Sequence, residues 1–308
     1  MSIFSTLYRI LTPKSWVASV FAWIATLSLL NFAKADPLIS QIRYPSAEKQ
    51  INGRFCTADQ KLFPGARPLI LFNHGGVDGV SLNNERRMLE LCRLGYAVAA
   101  SSYRGEDGSD GEIEVALGEV DDVLALLAHL QNRALIDSNR VALIGFSHGA
   151  LISLQAAKRQ VSAKAPAFRA LVFAYGVADI SAWYRYLQKT KQLGKDALTQ
   201  RIYGKGPELS PDNFTSRLGI LGLEKLPSDL PILIVQGQRD VIVPASQADI
   251  LYEALKNLDI RVAIHRSKHG QHGYLIRREA LVGAEKLDSE RAWQAIYAFL
   301  EARLVPHG

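Results

Sequence analysis

Short apolar runs alternate along the chain with longer segments in which apolar residues recur at helical spacing. This rhythm predicts an α/β domain with a mostly parallel sheet covered by helices. An antiparallel pair is expected first, with Asn52-Gly53 as its bend. The predicted strands are 38–44, 50–56, 68–73, 96–102, 141–144, 170–175, 231–236 and 261–266. The predicted helices are 84–94, 113–131, one that follows the strand 141–144 and runs to about 159, 245–258 and 288–302, the last of them capped by Asp288.

The segment 181–229 breaks this rhythm, because it contains no strong strand and is punctuated by glycine and proline. A connection of this length inside an α/β domain is usually functional, so we expect a small lid. Its aromatic residues either contact an apolar acyl or aryl group or pack the lid onto the sheet, and both interpretations stay open. These residues are Trp183, Tyr184, Tyr186, Tyr203 and Phe214.

The sequence Gly145-Phe-Ser147-His-Gly149 stands between a predicted strand and a predicted helix. In that context G-x-S-x-G predicts a nucleophile elbow, a turn so tight that side chains at both glycine positions would collide. The glycines remove the collisions and allow Ser147 a strained, exposed conformation. Ser147 is therefore the expected nucleophile.

A serine nucleophile needs a base and an acid that orients the base. Asp240 comes shortly after the strand 231–236, and His272 follows the strand 261–266. The carboxyl ends of strands border the crevice in which such sheets form their sites. The order Ser147, Asp240, His272 therefore predicts a catalytic triad.

Each partner has a rival. Asp179, which follows the strand 170–175, is the alternative acid, and His269 is the alternative base. The D-x-x-V-P turn after a strand favours Asp240, and the His-Gly-Tyr sequence favours His272.

Donors for an oxyanion are expected on the backbone. The amide after the nucleophile, that of His148, supplies one donor, and the glycine-rich loop after the third strand supplies the other. Gly76 is the preferred residue in that loop, with Gly75 and Val77 as alternatives. His74 is expected to be structural.

Residues 1–35 have the layout of a secretory signal peptide. A basic region precedes the apolar stretch 16–30, and Ala33-Lys-Ala35 forms an A-x-A cleavage site. Cleavage after Ala35 leaves 36–308 as one catalytic domain that is exported, either periplasmic or secreted, without stable membrane association. The alternative is an uncleaved N-terminal anchor.

The charge balance argues against a nucleic-acid partner. Lysine and arginine number 36 and acidic residues 30, and three of the basic residues lie in the leader. The mature chain then has 33 basic and 30 acidic residues, a net charge of +3. The two cysteines, Cys56 and Cys92, form either a disulfide or two buried thiols.

Metals and cofactors are not expected. No Cys/His cluster has metal-ligand spacing, and no phosphate-binding glycine motif is present. The acidic loop 106–112 lacks the spacing of a calcium loop and is expected to be a solvated turn at the rim of the site.

Taken together, these motifs resemble the α/β-hydrolase superfamily. The nearest likenesses are the catalytic domain of the prolyl oligopeptidase (S9) group and the dienelactone-hydrolase-like esterases. The motifs are HGG at 74–76, SYRGEDGSDGE at 102–112, GEVDDV at 118–123, GFSHG at 145–149, ELSPDNF at 208–214, VQGQRDVIVP at 235–244 and HGY at 272–274. The resemblance implies an α/β-hydrolase fold and the roles of nucleophile, acid and base for Ser147, Asp240 and His272.

One departure from the S9 pattern affects the expected substrate. S9 peptidases usually carry an N-terminal β-propeller that binds the amino end of a peptide, and only a short segment precedes His74 here. We therefore expect a serine hydrolase of esters or acyl groups that acts on small molecules. The alternatives are an S9-like peptidase and a catalytically dead binding protein on the same fold.

Overall fold

Within the part of the chain that the structure describes, eight strands form one sheet in the order β1-β2-β4-β3-β5-β6-β7-β8. The computed structural model describes residues 36–159, 168–195, 197–202 and 206–305, so the predicted signal peptide and Tyr203 lie outside the described residues. β2 pairs antiparallel with β1 and β4, and all other neighbours are parallel. The strands are β1 (Ser40–Ser46), β2 (Lys49–Thr57), β3 (Arg67–Asn73), β4 (Ala97–Ser101), β5 (Ile136–Phe146), β6 (Phe168–Ala174), β7 (Ile232–Gly237) and β8 (Val262–Ser267).

Helices cover both faces of this sheet, as the alternating pattern predicts. They are α1 (Leu82–Arg93), α2 (Gly118–Leu130), α3 (His148–Arg159), α4 (Ile180–Lys189), α5 (Ala197–Ile202), α6 (Gly206–Leu209), α7 (Pro211–Thr215), α8 (Ser246–Asn257) and α9 (Gly283–Leu304). Two 3₁₀ turns lie at Leu223–Lys225 and Arg278–Ala280. Among the described residues, no helix is both long and apolar enough to cross a bilayer.

Alternating side chains of each central strand enter two separate cores. Leu69 and Leu71 of β3 join the core beneath α2, α3 and α8, whereas Ile70 and Phe72 join the core beneath α1 and α9. This alternation follows from the two-residue repeat of a strand. Because both faces of the strand are buried, the sequence shows a continuous apolar run.

Three local predictions are wrong. Asn52 and Gly53 lie inside β2, and the chain turns instead at Ala47, which has a φ of 49°. The glycine is needed at position 53 because a Cβ there would stand 2.6 Å from the carbonyl oxygen of Ala100 on β4. α2 begins at Gly118 rather than at 113, because the Glu119 carboxylate binds the amides of the preceding turn.

The last helix begins at Gly283, so Asp288 lies within it and does not cap it. Its carboxylate instead accepts a hydrogen bond from the backbone N–H of His269 at 2.6 Å. A tertiary contact therefore explains an acidic residue that resembles a helix cap in the sequence.

In the described part of the segment between β6 and β7, the chain forms four short helices, α4 to α7. Its buried residues form a small third core that includes Trp183, Leu187 and Phe214, together with Val243 from the turn after β7. This core connects the segment to the turn that carries Asp240. That the segment acts as a lid stays a prediction.

A disulfide joins Cys56 at the end of β2 to Cys92 near the end of α1. Of the two alternatives from the sequence, the disulfide is therefore the one present. It closes a sequence separation of 36 residues and fastens α1 to the antiparallel edge of the sheet.

Candidate active site

Ser147 lies in the tight turn between β5 and α3, with a φ of 53°. Its backbone N–H donates a hydrogen bond to the carbonyl of Ala174 at the end of β6, at 2.9 Å. A Cβ at Gly145 would collide with the carbonyl of Gly149, and one at Gly149 would collide with that of Asn73. Both glycines are therefore required by close backbone contacts, as the elbow motif predicts.

A continuous chain of hydrogen bonds runs from Ser147 through His272 to Asp240. The Nε2 atom of His272 lies 2.9 Å from the Oγ of Ser147, and its Nδ1 lies 2.8 Å from the Oδ2 of Asp240. A carboxylate only accepts, so Nδ1 carries the proton and Nε2 is left to accept from the serine hydroxyl. The structure thus brings together three residues that are far apart in the sequence.

The Asp240 side chain is fully buried, and its second oxygen is held by the turn after β7. Oδ1 accepts hydrogen bonds from the backbone N–H groups of Ile242 and Val243, at 2.9 and 2.8 Å. Three donors therefore fix both oxygens of the carboxylate, one of them from His272. A side chain held in this way gives the imidazole one preferred orientation.

The two rival residues have other partners. Asp179 caps α4, and its Oδ1 accepts the N–H of Ala182 at 2.9 Å. The Nδ1 of His269 lies 3.3 Å from the Oδ2 of Asp288. Neither residue belongs to the hydrogen-bond chain that contains Ser147.

A cavity of about 480 Å³ opens above Ser147. Apolar and aromatic side chains form much of its wall, and Asp78 and Arg277 are its charged residues. Trp183 brings α4 to this wall, whereas Phe214 is buried in the core of the predicted lid. The apolar and aromatic lining residues are Phe146, Tyr175, Trp183, Ile242, Val243, Val77 and Ile276.

Tyr175 supports the imidazole from one side. Its ring meets that of His272 edge-on, with 5.1 Å between the centroids, and its φ is 38°. Its hydroxyl is buried and has no hydrogen-bond partner within the described part of the chain. Sequence reasoning missed this residue, because a tyrosine at the end of an apolar strand carries no signal of a contact with a histidine.

The loop 74–79 follows β3 and lies against the elbow. A Cβ at Gly75 would be 2.8 Å from the carbonyl oxygen of Phe146 and 3.0 Å from the Cβ of Ser147. Gly75, Gly76 and Val77 all line the cavity. The three candidate oxyanion donors from this loop are therefore at the site, and their role stays a prediction.

Buried polar side chains hold this loop from behind. The Nδ1 atoms of His74 and His148 lie 3.1 and 3.0 Å from the carbonyl oxygens of Gly75 and Gly76. Glu106 accepts the N–H of Gly79 at 2.5 Å. The expectation of a solvated turn is therefore wrong for Glu106, which is only 4% exposed.

Glu106 and His74 form a neutral pair, not an ion pair, although Nε2 and Oε2 are 3.9 Å apart. Burial raises the pKa of Glu106 to about 8, and burial lowers the pKa of His74 to about 4. Both groups are therefore mainly uncharged at pH 7.

Among the described residues, no group of three or more histidine, cysteine or acidic side chains could hold a metal ion.

The model of the prolyl oligopeptidase family matches residues 83–304. Among curated proteins, the uncharacterized peptidase YtmA of Bacillus subtilis is 26% identical over 195 residues, which cover 63% of this chain and 72% of YtmA. The chain covers about a quarter of the plant acylamino-acid-releasing enzymes that it also matches, 24% and 27% of two rice enzymes.

Solved structures that resemble the fold include a peptidase and a putative dienelactone hydrolase. The acylaminoacyl peptidase of Pyrococcus horikoshii superposes with a TM-score of 0.72 at 19% identity, over 93% of this chain and 44% of that one. A putative dienelactone hydrolase of Klebsiella pneumoniae gives 0.61 at 17% identity, over 86% of this chain and 98% of that one. The expected α/β-hydrolase fold is confirmed.

Proposed function

The chain belongs to the prolyl oligopeptidase family and is a serine hydrolase, either peptidase or esterase, and on this premise we propose that Ser147 is its nucleophile. His272 is the general base and Asp240 the acid that orients it. The observation that carries this proposal is the continuous hydrogen-bond chain from the Ser147 Oγ to the buried Asp240 carboxylate.

In the first half-reaction, the Nε2 of His272 accepts the hydroxyl proton while the Oγ of Ser147 bonds to the substrate's carbonyl carbon. The carbonyl oxygen becomes an oxyanion, which the N–H groups of His148 and Gly76 stabilise. The tetrahedral centre collapses, and His272 returns the proton to the leaving alcohol or amine. Water repeats the sequence on the acyl-enzyme and releases the acid.

Asp240 stabilises the imidazolium that forms in each half-reaction. Its carboxylate accepts the Nδ1–H of His272 and is held by two backbone amides. It keeps the proton on Nδ1 and thereby leaves Nε2 available for the hydroxyl proton.

The preferred substrates are carboxylic esters or other acyl groups on small molecules. The apolar wall formed by Phe146, Trp183, Ile242 and Val243 supports an apolar acyl or aryl group next to Ser147. A second candidate, peptide hydrolysis, is supported by similarity to the peptidase YtmA and to acylaminoacyl peptidases.

Labelling with a fluorophosphonate probe tests the nucleophile, with Ser147→Ala as the control. Labelling of the wild type and none of the variant is expected. Unlabelled wild-type protein with an intact fold would favour the binding-protein alternative.

A panel of p-nitrophenyl esters, N-acylaminoacyl anilides and free aminoacyl anilides tests the substrate class. Turnover of anilides without turnover of esters would favour the peptidase.

We also propose that residues 1–35 are a signal peptide removed after Ala35, so that the enzyme works outside the cytoplasm without stable membrane association. The Cys56–Cys92 disulfide supports an oxidising compartment. N-terminal sequencing of protein from its native host should begin at Asp36. Retention of Met1 on membrane-bound material would favour the anchor.

A further inference from the structure

Glycine allows the backbone at position 76 many conformations, whereas an amide that serves as an oxyanion donor must point in one direction. Gly76 has a φ of 76°, and a Cβ at this position would meet no atom within 4 Å. Neither a side chain of its own nor close packing at this position therefore fixes the adjoining peptide planes. Donors in an oxyanion hole stabilise the transition state because they are already aligned before it forms.

Two buried imidazole rings are placed to supply this alignment. His74 is 0% exposed and His148 is 5% exposed. Their Nδ1 atoms lie 3.1 and 3.0 Å from the carbonyl oxygens of two consecutive residues, Gly75 and Gly76. The ring of Tyr103 stacks on His74 at 4.3 Å and meets His148 edge-on at 6.1 Å, so that one aromatic cluster supports both rings.

The chemistry of each contact fixes its tautomer. Burial lowers the pKa of His74 to about 4 and also lowers the pKa of His148, so both rings are neutral at pH 7. A neutral imidazole has one N–H, and a carbonyl oxygen only accepts. The proton must therefore lie on Nδ1 in both rings, and both Nε2 atoms have no hydrogen-bond partner in the described structure.

We propose that His74 and His148 are positioning residues whose Nδ1–H groups hold the carbonyls of Gly75 and Gly76 and thereby aim the amides of Gly76 and Val77 at the oxyanion. In a trans peptide, the C=O of one residue and the N–H of the next lie in one plane and point in opposite directions. Holding each carbonyl against a buried ring therefore turns the following N–H away from that ring. Gly76 and Val77 both border the cavity above Ser147.

This inference rests on the proposed function and extends it in two ways. His148 has two roles in one residue, since its backbone N–H is a proposed donor and its side chain aligns the opposing loop. The sequence leaves Gly76, Gly75 and Val77 as candidate donors. Of these, Gly76 and Val77 each follow a carbonyl that an imidazole holds, so both can serve as donors.

Variants at position 148 test the side chain while they retain the backbone N–H. Asparagine places an amide nitrogen at the level of Nδ1, glutamine places it at the level of Nε2, and leucine removes it. We expect His148→Leu and His148→Gln to lower kcat 10- to 100-fold with KM within threefold, because complete loss of one donor costs about 10²–10³ in kcat. The kcat of His148→Asn should be at least tenfold higher than that of His148→Leu or His148→Gln.

Binding of a boronic acid that mimics the tetrahedral intermediate separates positioning from a general structural role. Its affinity should fall across the variants in proportion to kcat/KM, while the affinity for a product carboxylic acid changes less than threefold. Circular dichroism and thermal unfolding identify variants that fail to fold. If His148→Leu does not fold, the positioning role is tested by comparing His148→Asn with His148→Gln and His74→Asn with His74→Gln.

The positioning role is overturned if a folded His148→Leu keeps kcat within threefold, or if the Asn and Gln variants are equally impaired. Ser147→Ala separates this failure from a failure of the proposed function. If wild-type turnover does not depend on Ser147, both proposals fail. If turnover does depend on Ser147 but not on the Nδ1-level donor, only the positioning role fails.

Discussion

The indole Nε1–H of Trp183 donates a hydrogen bond to the carbonyl oxygen of Ile242 at 2.7 Å. Trp183 belongs to α4, in the predicted lid, and the N–H of Ile242 is one of the two amides that bind Asp240. Ile242 thus connects the predicted lid to the proposed catalytic acid. We therefore expect substitutions in α4 to alter the orientation of the His272 imidazole.

Trp183→Phe retains an aromatic ring at the cavity wall but removes the indole donor. A net hydrogen bond contributes about 0.5–1.5 kcal/mol, so we expect kcat/KM to fall about two- to twelvefold. Tyr186→Phe is the matched control, because it deletes a more exposed hydrogen bond to the adjacent carbonyl of Val241. Steady-state kinetics on one ester should show less than a twofold effect for the control, and equal effects would argue against the connection.

Asp240→Asn should lower kcat about 10⁴-fold while the fold is retained, because an amide favours the wrong imidazole tautomer. Asp179→Asn is the control. Asp179 caps α4, and asparagine caps a helix about as well as aspartate, so activity and stability should change little. Rapid-mixing measurement of acylation distinguishes the two. A crippled Asp179→Asn with a mild Asp240→Asn would reassign the acid.

His272→Ala should abolish Ser147 labelling by a fluorophosphonate on the timescale of wild-type labelling, because no base then activates the hydroxyl. His269→Ala should leave labelling largely intact, since its imidazole lies beside Asp288 and not beside Ser147. Labelling rates followed by gel fluorescence provide the test, and the reverse ranking would make His269 the base.

Glu106→Gln should change the pH dependence of stability. The pKa of Glu106 is raised to about 8 in the folded protein, so the native state binds a proton that the unfolded chain releases from about pH 4.5 upward. The stabilising effect of this proton is lost as the pH rises through 8. Wild type should therefore lose stability between pH 6.5 and 8 relative to the variant, by at most about 1.4 kcal/mol per pH unit.

Urea unfolding of both proteins at pH 6.5, 7.25 and 8 measures this difference. The window avoids two opposing contributions. The lowered pKa of His74, about 4, increases stability as the pH rises towards 6.5, and that of Lys158, about 8, increases stability above pH 8. Parallel curves for wild type and variant would contradict a protonated Glu106.

Cys56→Ser/Cys92→Ser should lower the free energy of unfolding by about 3–4 kcal/mol, because a link across 36 residues restricts the unfolded chain. Wild-type protein unfolded in dithiothreitol should match the double variant. Urea midpoints provide the comparison. An unchanged midpoint under full reduction would contradict a stabilising role for the disulfide.

The sequence predicted the sheet and the elbow well because their signals are local. Strand β3 is buried on both faces and therefore shows a continuous apolar run, and Gly145 and Gly149 are required by the turn itself. The order of Ser147, Asp240 and His272 could be predicted because each follows its own strand. Strand order then determines which side chains meet.

Elements that depend on distant contacts were predicted less well. Gly53 resembles a turn residue in the sequence, but glycine is needed there because a Cβ would collide with the carbonyl of Ala100. Asp288 resembles a helix cap, but its partner is the N–H of His269. Glu106 resembles a solvated loop residue, and only the folded loop reveals that it binds Gly79. Local pattern cannot reveal a partner brought close by the fold.

The Ser147–His272 hydrogen bond joins residues 125 positions apart, and the strands β6, β7 and β8 lie between them in the sequence. A chain that ends before His272 retains the serine but lacks its partner, and a chain in which these strands are misassembled does not bring the two residues together. With Ser147 as the proposed nucleophile and the three site residues intact, covalent labelling of Ser147 therefore reports molecules in which these strands are assembled. In a library of variants that spares Ser147, His272 and Asp240, one probe would then report whether β6, β7 and β8 are assembled, and no substrate need be known.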